Sequence, residues 1–368
     1  MSANFAVLKA CKFIKVLYKT SEITLKVFKI SVFSEINKFI LKQKLLQLIK
    51  FLAFFAFGIL LFWLVYKDQD VERIKSILKN DVEYLWIWIA IVLGILSHIS
   101  RTLRWALMIE PLGRKPRVFN TFLAVMVGYL MNLVLPRMGE ISRCGVLSRY
   151  ENISFTKLVG TVVTERIIDV IMLLLLALLA VITQFGEVLE FFENNPDIRE
   201  KLGSTGLIIW ILLIAGALMT GIFFFRRKIK KSVFFGKLNG ILSKFGEGLR
   251  TIKDMKNKGA FIFHTLFIWL MYFLMLYVVF LSFEFTSHLT VIAGLTVFVL
   301  SSFGMAAPVQ GGIGAWHFMV MQALLVYGVA KTDGVIFAFL AHGTMTAMQI
   351  LLGVISLLIL PFINRRTN

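Results

Sequence analysis

The chain has 368 residues, of which 58% are hydrophobic, and a formal net charge of +19. A soluble domain is usually about 45–50% apolar, so this composition excludes an ordinary soluble fold. A strong positive charge can indicate nucleic-acid binding, but here the Lys and Arg residues lie between long apolar runs. The positive-inside rule of membrane proteins explains that distribution, and nucleic acid is therefore excluded as a partner.

Residue types that bind metals or form disulfides are few and scattered. Cys11 and Cys144 form no CxxC pair and no disulfide framework. The five histidines lack the spacing of metal ligands. We therefore predict neither a metal site nor a cofactor.

The first element in chain order is a basic extension at residues 1–47. Its lysines recur at helical spacing with apolar residues between them, at Lys9, Lys12, Lys15, Lys19, Lys26 and Lys29. This pattern predicts an amphipathic helix that lies on an anionic membrane surface. A dispensable basic extension is the alternative.

A membrane domain follows at residues 48–362. A spanning helix needs about 20 apolar residues, and six segments are candidates: Phe51–Tyr66, Tyr84–Ile109, Lys157–Phe185, Leu207–Phe225, Phe261–Phe283 and Val335–Phe362. Pro and Gly interrupt two further apolar regions, Val118–Leu147 and Leu289–Val329. The pattern predicts an all-α, polytopic helical bundle with about eight membrane-embedded passes.

The charges between these segments predict their orientation. Residues 1–50 contain ten Lys and two Glu, and residues 226–258 contain eleven Lys and Arg, so both segments are predicted to be cytoplasmic. The acidic segment 186–203 is predicted to face the outside. We therefore expect a multi-pass protein of the cell (inner) membrane with both termini in the cytoplasm.

The region between the second and third spans cannot be a single crossing. Tyr84–Ile109 is predicted to run inwards and Lys157–Phe185 outwards, so the region between them has to start and finish inside. The consistent solution is a re-entrant hairpin with a break near Pro136.

The same order of span, hairpin and span occurs twice, over residues 84–185 and 261–362. Pro136–Ser142 and Pro308–Gly314 both read P-x-x-G-x-I-small at the predicted break. Broken helices in corresponding positions predict an inverted-topology repeat, in which substrate sites form near the membrane midplane. The alternative is that the second region makes two ordinary crossings.

Charged residues within apolar segments indicate functional sites, because they are costly in a membrane. In the second span, Ser97, Arg101 and Arg104 share one helical face. The two arginines are candidates for holding a phosphate by forked hydrogen bonds. The alternative is that both side chains extend to the inner headgroups.

The first predicted hairpin carries a second group of candidate residues: Asn132, Pro136, Arg137, Gly139, Glu140 and Arg143. A Pro and a Gly break the helix and free backbone groups that are tolerated only against protein or water. Glu140 in such a place needs a cation, and Arg137 and Arg143 are near in sequence. The alternative is an ordinary cytoplasmic turn with solvated charges.

The third group is Glu165, Arg166 and Asp169, at the start of a long apolar helix. The two carboxylates share a face at i, i+4 and repel each other, so a cation has to compensate. Arg166 can reach Asp169, and an arginine of the hairpin can reach Glu165. A purely structural ion network is the alternative.

The second break contributes Pro308, Gln310, Gly311, Gly312 and Gly314. The glycine run is only loosely like a phosphate-binding loop, because it lacks the preceding strand and the following Lys-Ser/Thr. A backbone anion nest or a close helix crossing explains the glycines better. Gln310 and His317 flank the run as weaker candidates.

Three of these motifs resemble a known family. The pattern N-x-x-x-P…G-E-x-x-R over Asn132–Arg143 and the pattern E-R-x-x-D over Glu165–Asp169 are similar to motifs of the lysylphosphatidylglycerol synthase transmembrane-region family (flippase-like, UPF0104). Pro308–Gly314 is similar to that family's P-G-G-I-G element, with Val309-Gln310 where Pro-Gly is common. The resemblance covers residues 48–362.

The resemblance implies an inner-membrane lipid-handling protein. No aminoacyl-transfer domain follows the last span in this sequence, so it implies a flippase or transporter of a phospholipid or other anionic lipid. A scaffold or regulator of a lipid- or envelope-synthesis enzyme is one alternative, and a lipid-modifying membrane enzyme is another. We expect no catalytic residues, since no catalytic constellation is evident. A homo-oligomer or a membrane-enzyme partner is left open.

Overall fold

The computed structural model describes a helical membrane protein. Its described residues are 52, 55–56, 58–67, 70–135, 137–194, 255–307 and 309–364, and these contain no strand. Several sequence predictions lie outside the described residues: the basic extension 1–47, the span Leu207–Phe225, most of the basic segment 226–258, and the prolines Pro136 and Pro308.

The described helices are numbered in chain order. They are α1 (58–66), α2 (Val71–Asn80), α3 (Tyr84–Ile109), α4 (Val118–Val134), α5 (Met138–Glu151), α6 (Phe155–Asn194), α7 (Lys258–Phe280), α8 (Glu284–Ser287), α9 (Val291–Ala306), α10 (Ala315–Val326) and α11 (Lys331–Ile363).

Four of these helices are long and apolar enough to cross a membrane: α3, α6, α7 and α11. Their outer sides carry large apolar side chains that protein does not cover, such as Leu85 and Trp88, both 67% exposed. Such a surface suits contact with lipid rather than water. The predicted all-α, polytopic membrane bundle is confirmed by this arrangement.

Each of the two Pro- and Gly-interrupted regions forms a pair of shorter helices that pack on each other. In the first hairpin, α4 and α5 meet where a Cβ at Gly139 would overlap the carbonyl oxygen of Gly128. In the second hairpin, α9 and α10 meet where a Cβ at Gly304 would lie 2.9 Å from the carbonyl oxygen of Ala315. Small residues thus allow close backbone approach at both crossings.

The first hairpin begins and ends at the same end of the bundle. Arg117 precedes α4 and donates from Nε to the carboxylate of Glu151 at the end of α5, at 2.9 Å. Asn120 donates from Nδ2 to Oδ1 of Asn364, at 2.9 Å, so the end of α11 lies there as well. This contact set agrees with a region that starts and finishes on one side.

The opposite end of the bundle holds the start of α11 and the start of α3. Arg73 on α2 forms an ion pair with Asp333 near the start of α11, at 2.8 Å. The backbone N–H of Glu83 donates to the carbonyl of Ser282, just after α7, at 3.0 Å. The inverted symmetry between the two repeats stays a prediction.

The turn of the second hairpin lies against the end of α4 in the first hairpin. Gly311 has a positive φ of 55°, and a Cβ at this position would overlap Cδ2 of Leu133. A side chain there would meet both backbone strain and a steric clash. The glycine therefore allows the two hairpins to touch.

Candidate functional site

The buried charged residues of α3, α5 and α6 come together in one arginine–carboxylate cluster. It comprises Arg101, Arg104, Arg143, Glu165, Arg166 and Asp169. Glu165 and Arg104 are 0% exposed. The cluster forms because α3 places two arginines one turn apart and α6 places two carboxylates one turn apart on facing sides.

Glu165 contacts all four arginines of the cluster. Its Oε2 accepts a hydrogen bond from Nη2 of Arg143 at 2.6 Å. Its Oε1 lies 2.7 Å from Nη2 of Arg101 and 3.2 Å from Nη2 of Arg104. Nη2 of Arg166 is 3.4 Å away. The predicted contact between Glu165 and a hairpin arginine is confirmed.

Asp169 shares three of these partners. Its Oδ1 accepts from Nη2 of Arg104 at 2.8 Å, and its Oδ2 accepts from Nη2 of Arg101 at 3.0 Å. The i, i+3 pair with Arg166, at 3.3 Å, has the predicted partner. Since the Arg166 side chain is 44% exposed, this arginine lies at the edge of the cluster.

Arg101 has protein partners for all three of its guanidinium nitrogens. Nε donates to Glu165 at 2.8 Å, and Nη2 donates to Asp169. Nη1 donates to the hydroxyl oxygens of Tyr129 on α4 and Tyr272 on α7, both at 3.0 Å. Arg101 therefore joins helices α3, α4, α6 and α7 in one network.

Arg104 differs from Arg101 in the use of its donors. Its Nη2 donates to Glu165 and Asp169. Its Nε and Nη1 are buried and have no hydrogen-bond partner among the described residues. Buried donors normally have partners, so Arg104 offers unused N–H groups to an acceptor that is not part of the described chain.

Arg143 is positioned by an aromatic ring as well as by Glu165. Its guanidinium lies 4.6 Å from the ring centroid of Trp105, a cation–π distance. Trp105 is fully buried and donates from Nε1 to Oγ1 of Thr161 on α6, at 2.9 Å. The ring thus links α3 to α6 and keeps the hairpin arginine beside the carboxylates.

Positive charge exceeds negative charge in the cluster. Among the described residues, three buried guanidiniums, with that of Arg166 at the edge, form ion pairs with the two carboxylates of Glu165 and Asp169. Uncompensated charge is costly in a low-dielectric interior. An anion that entered the cluster would reduce this cost.

The break of the first hairpin is stabilised by Asn132. Its Oδ1 accepts a hydrogen bond from the backbone N–H of Gly139 at 2.7 Å, which satisfies a donor in the first turn of α5. Arg137, just before α5, is exposed and has a left-handed φ of 63°. Oε2 of Glu140 is buried but has no partner in the part of the chain that the structure describes.

The expected ion pair between Glu140 and Arg137 or Arg143 is therefore not seen in the described residues. Arg143 instead donates from Nη2 to Oε2 of Glu165 on α6. Arg137 lies at the chain reversal before α5, where its backbone φ is in the left-handed region.

Replacing Asn132 with Ala should remove the acceptor for the Gly139 N–H group. Loss of such a cap costs about 0.5–2 kcal/mol, so we expect a lower midpoint of thermal denaturation in detergent. The matched control is Asn80→Ala on α2, where the asparagine is exposed. Equal midpoints for wild type and Asn132→Ala would show that this hydrogen bond does not stabilise the hairpin.

The second hairpin has a different character from the first. Residues 291–326 contain no Asp, Glu, Lys or Arg. Gly311, Gly312 and Gly314 all have positive φ, which explains the glycine-rich motif by backbone conformation. Gln310 is 5% exposed, and its Nε2 has no partner among the residues described.

The structure thus brings ten of the predicted site residues together in two groups. Arg101, Arg104, Arg143, Glu165, Arg166 and Asp169 form the cluster, while Gln310, Gly311, Gly312 and Gly314 form the turn that touches α4. Tyr129 and Tyr272 contact the cluster through Arg101 but were not among the predicted residues. Nothing in their local sequence distinguishes them from lipid-facing or core tyrosines.

Comparison with known proteins gives a consistent family assignment. Residues 48–353 match the family described as the lysylphosphatidylglycerol synthase TM region. A UPF0104 membrane protein of Methanocaldococcus jannaschii is 25% identical over 334 residues, 87% of this chain and 96% of that relative. A UPF0104 membrane protein of Pyrococcus horikoshii is 26% identical over 309 residues, 74% of this chain and 84% of that relative. No solved structure matches.

Proposed function

Because the chain belongs to the lysylphosphatidylglycerol synthase transmembrane-region family, we propose that it is a flippase or transporter for an anionic lipid. The phosphate of the lipid headgroup binds at the arginine–carboxylate cluster. The protein lies in the inner membrane with both termini in the cytoplasm, as the distribution of Lys and Arg predicts.

The observation that carries this proposal is the pair of unused donors on Arg104. Its Nε and Nη1 are buried and lack partners among the described residues, while its Nη2 is held by Glu165 and Asp169. A guanidinium fixed in this way presents a planar fork that matches two phosphate oxygens. The surplus positive charge of the cluster favours a negative ligand over a neutral one.

The remaining residues have supporting roles in this proposal. Arg101 holds the helices together, since each of its nitrogens has a protein acceptor. Glu165 and Asp169 orient the arginines. Arg137, exposed at the hairpin break, attracts the headgroup before it enters. Glu140 contacts a positive group of the lipid or of a neighbouring headgroup.

Movement of the headgroup requires access from both sides of the membrane. The two repeats, residues 84–185 and 261–362, each contain one broken hairpin, and the turn of the second touches α4 of the first at Leu133. In inverted repeats, which the sequence predicts for these two segments, the halves alternate access by moving against each other around a central site. The cluster lies beside that contact, since Tyr129 precedes Leu133 by about one helical turn.

Replacing Arg104 with Lys should test the proposal. Lysine keeps the charge but loses the forked donors, so we expect the rate of lipid translocation to fall by about tenfold or more. The probe is fluorescent phosphatidylglycerol in proteoliposomes, measured by chemical quenching of the outer leaflet. A folded variant with an unchanged midpoint of thermal denaturation makes the comparison valid.

The control for this experiment is Arg149→Lys, at an exposed arginine on α5, which should translocate as wild type does. Equal translocation by wild type and Arg104→Lys would contradict the assigned role of Arg104. If neither wild type nor Arg104→Lys translocates the fluorescent phosphatidylglycerol, the scaffold function becomes the better explanation of the family match.

A further inference from the structure

We propose that His98, Trp269, Tyr129 and Tyr272 form a binding site for the hydroxyl groups of a lipid headgroup. The site lies beside the arginine–carboxylate cluster, so it would select a lipid whose phosphate carries a polyol, such as a glycerol or a sugar. This inference rests on the proposed function, because the phosphate of the same headgroup is assigned there to Arg104.

His98 differs from the other buried histidines in its lack of hydrogen bonds. It is 2% exposed, and neither Nδ1 nor Nε2 has a partner among the described residues. His317 accepts from the backbone N–H of Gly314, and His342 contacts the carbonyl oxygen of Gly311. Burying polar atoms without partners costs free energy. The His98 ring therefore requires hydrogen-bonding groups from outside the described chain.

A second unpartnered group lies on α7. Nε1 of Trp269 is buried and has no acceptor in the part of the chain that the structure describes. The indole packs edge-on against Tyr272 with 6.5 Å between ring centroids. On the other side, the His98 ring packs against Tyr129 with 4.5 Å between centroids. Since the hydroxyl oxygens of Tyr129 and Tyr272 lie 3.0 Å apart, the two unpartnered side chains flank one tyrosine pair.

The tyrosine pair, Tyr129 and Tyr272, has one unused hydroxyl hydrogen. Both hydroxyl oxygens accept from Nη1 of Arg101, at 3.0 Å. In the bond between the two hydroxyls, one donates and the other accepts. The hydrogen of the accepting hydroxyl has no acceptor among the described residues. The pair therefore offers a donor in addition to the N–H groups of His98 and Trp269.

Arg101 places these side chains next to the proposed phosphate position. Its Nη1 donates to the tyrosine pair, while its Nη2 lies 2.7 Å from Oε1 of Glu165. Nη2 of Arg104 lies 3.2 Å from the same oxygen, so the two guanidiniums are neighbours. One guanidinium thus separates the tyrosine pair from the unused donors of Arg104, and a polyol linked to the phosphate can reach across it.

The unpartnered atoms match hydroxyl groups better than charged groups. A charged His98 ring would place a second cation beside Arg101, whereas a neutral ring carries one donor and one acceptor. The site then offers three donors and one acceptor, and hydroxyls satisfy both kinds because they donate and accept. An ammonium group only donates and would face the Arg101 cation. A carboxylate only accepts and would leave the acceptor nitrogen of His98 unpartnered.

The test measures equilibrium binding of soluble short-chain lipids to the purified protein in detergent. Phosphatidylglycerol and phosphatidylpropanol share their charge and carbon skeleton and differ only in the hydroxyl groups of the headgroup. Wild type should bind phosphatidylglycerol about tenfold more tightly or better. Phosphatidylinositol then identifies the source of the hydroxyls. Tighter binding than that of phosphatidylglycerol indicates a cyclic polyol, weaker binding indicates a glycerol, and both support the site.

His98→Phe removes both ring nitrogens but keeps a ring against Tyr129. The ratio of the two Kd values should fall to about twofold or less, while the Kd of phosphatidylpropanol stays the same. Because His98 has no hydrogen bond within the described residues, the midpoint of thermal denaturation without lipid should not fall. Trp269→Phe removes one donor and should lower the ratio by a smaller factor, which tests the site if His98→Phe does not fold. His288→Gln, at an exposed histidine, should keep the wild-type ratio.

Equal affinity of wild type for phosphatidylglycerol and phosphatidylpropanol would overturn the hydroxyl site. A wild-type ratio in both His98→Phe and Trp269→Phe would also overturn it, because the polar atoms would then serve the fold alone. Arg104→Lys should weaken the binding of both lipids equally, since it changes the phosphate contact. If the preference is present but fluorescent phosphatidylglycerol does not cross the membrane of proteoliposomes, the proposed transport fails and the hydroxyl site stands.

Discussion

Glu165→Gln should be among the most destabilising single substitutions in this protein. The residue is 0% exposed and contacts four arginines. Removing one partner of a buried ion pair costs about 3–5 kcal/mol, because the remaining charges stay uncompensated. We expect a strongly lowered midpoint of thermal denaturation in detergent. The measurement is size-exclusion chromatography of the protein after heating to a series of temperatures.

A second substitution distinguishes lost charge balance from lost packing. In the double variant Glu165→Gln, Arg143→Met, one of the uncompensated guanidiniums is gone, so it should be more stable than the single variant. Glu72→Gln, at an exposed glutamate of α2, should leave the midpoint unchanged. A single variant as stable as wild type would show that the cluster does not stabilise the fold.

Gly139→Ala should separate the helices of the first hairpin. A Cβ at this position would overlap the carbonyl oxygen of Gly128 and lie 2.6 Å from Cγ of Asn132. The nearest obstacle is backbone rather than a flexible side chain, so the helices have to move apart. Overpacking of this kind costs about 1–3 kcal/mol and should also reduce translocation of the fluorescent lipid, because Arg143 lies one turn further along α5.

The matched control lies on the same helix. A Cβ at Gly145 would meet nothing within 4 Å. Alanine is a better helix former than glycine by about 0.5–1 kcal/mol, so Gly145→Ala should raise the midpoint of thermal denaturation or leave it unchanged. The same chemical change should therefore have opposite signs at two positions of α5. Equal effects would contradict the close crossing of α4 and α5.

The charges of α6 illustrate what sequence can predict in such a protein. Glu165 and Asp169 fall on one face at i, i+4, and two like charges in an apolar helix require a cation. The hairpin arginine that pairs with Glu165 is Arg143, whose Nη2 lies 2.6 Å from Oε2 of Glu165. The bounds of α3 likewise coincide with the predicted span Tyr84–Ile109. Local spacing and hydropathy are sufficient for both results.

Contacts that depend on how the helices pack could not be predicted from the sequence. Tyr272 is 171 positions from Arg101 in sequence, and its hydroxyl reaches the cluster only because α7 packs along α3. The difference in hydrogen bonding between Arg101 and Arg104 also depends on how the helices pack. Both are arginines on one face of α3, but the neighbours of Arg101 bind all of its nitrogens, whereas the neighbours that the structure describes around Arg104 leave Nε and Nη1 without a partner.

The lack of charged side chains in residues 291–326 has a consequence for how the molecule would work. Exposing a guanidinium to hydrocarbon at a helix centre costs about 2.5–3.5 kcal/mol, whereas an apolar helix pair can slide against lipid without that penalty. We therefore expect the half that holds the arginines to stay stationary in the bilayer and the uncharged hairpin to act as the mobile gate. The mechanical part of the cycle would then belong to helices that never carry the headgroup.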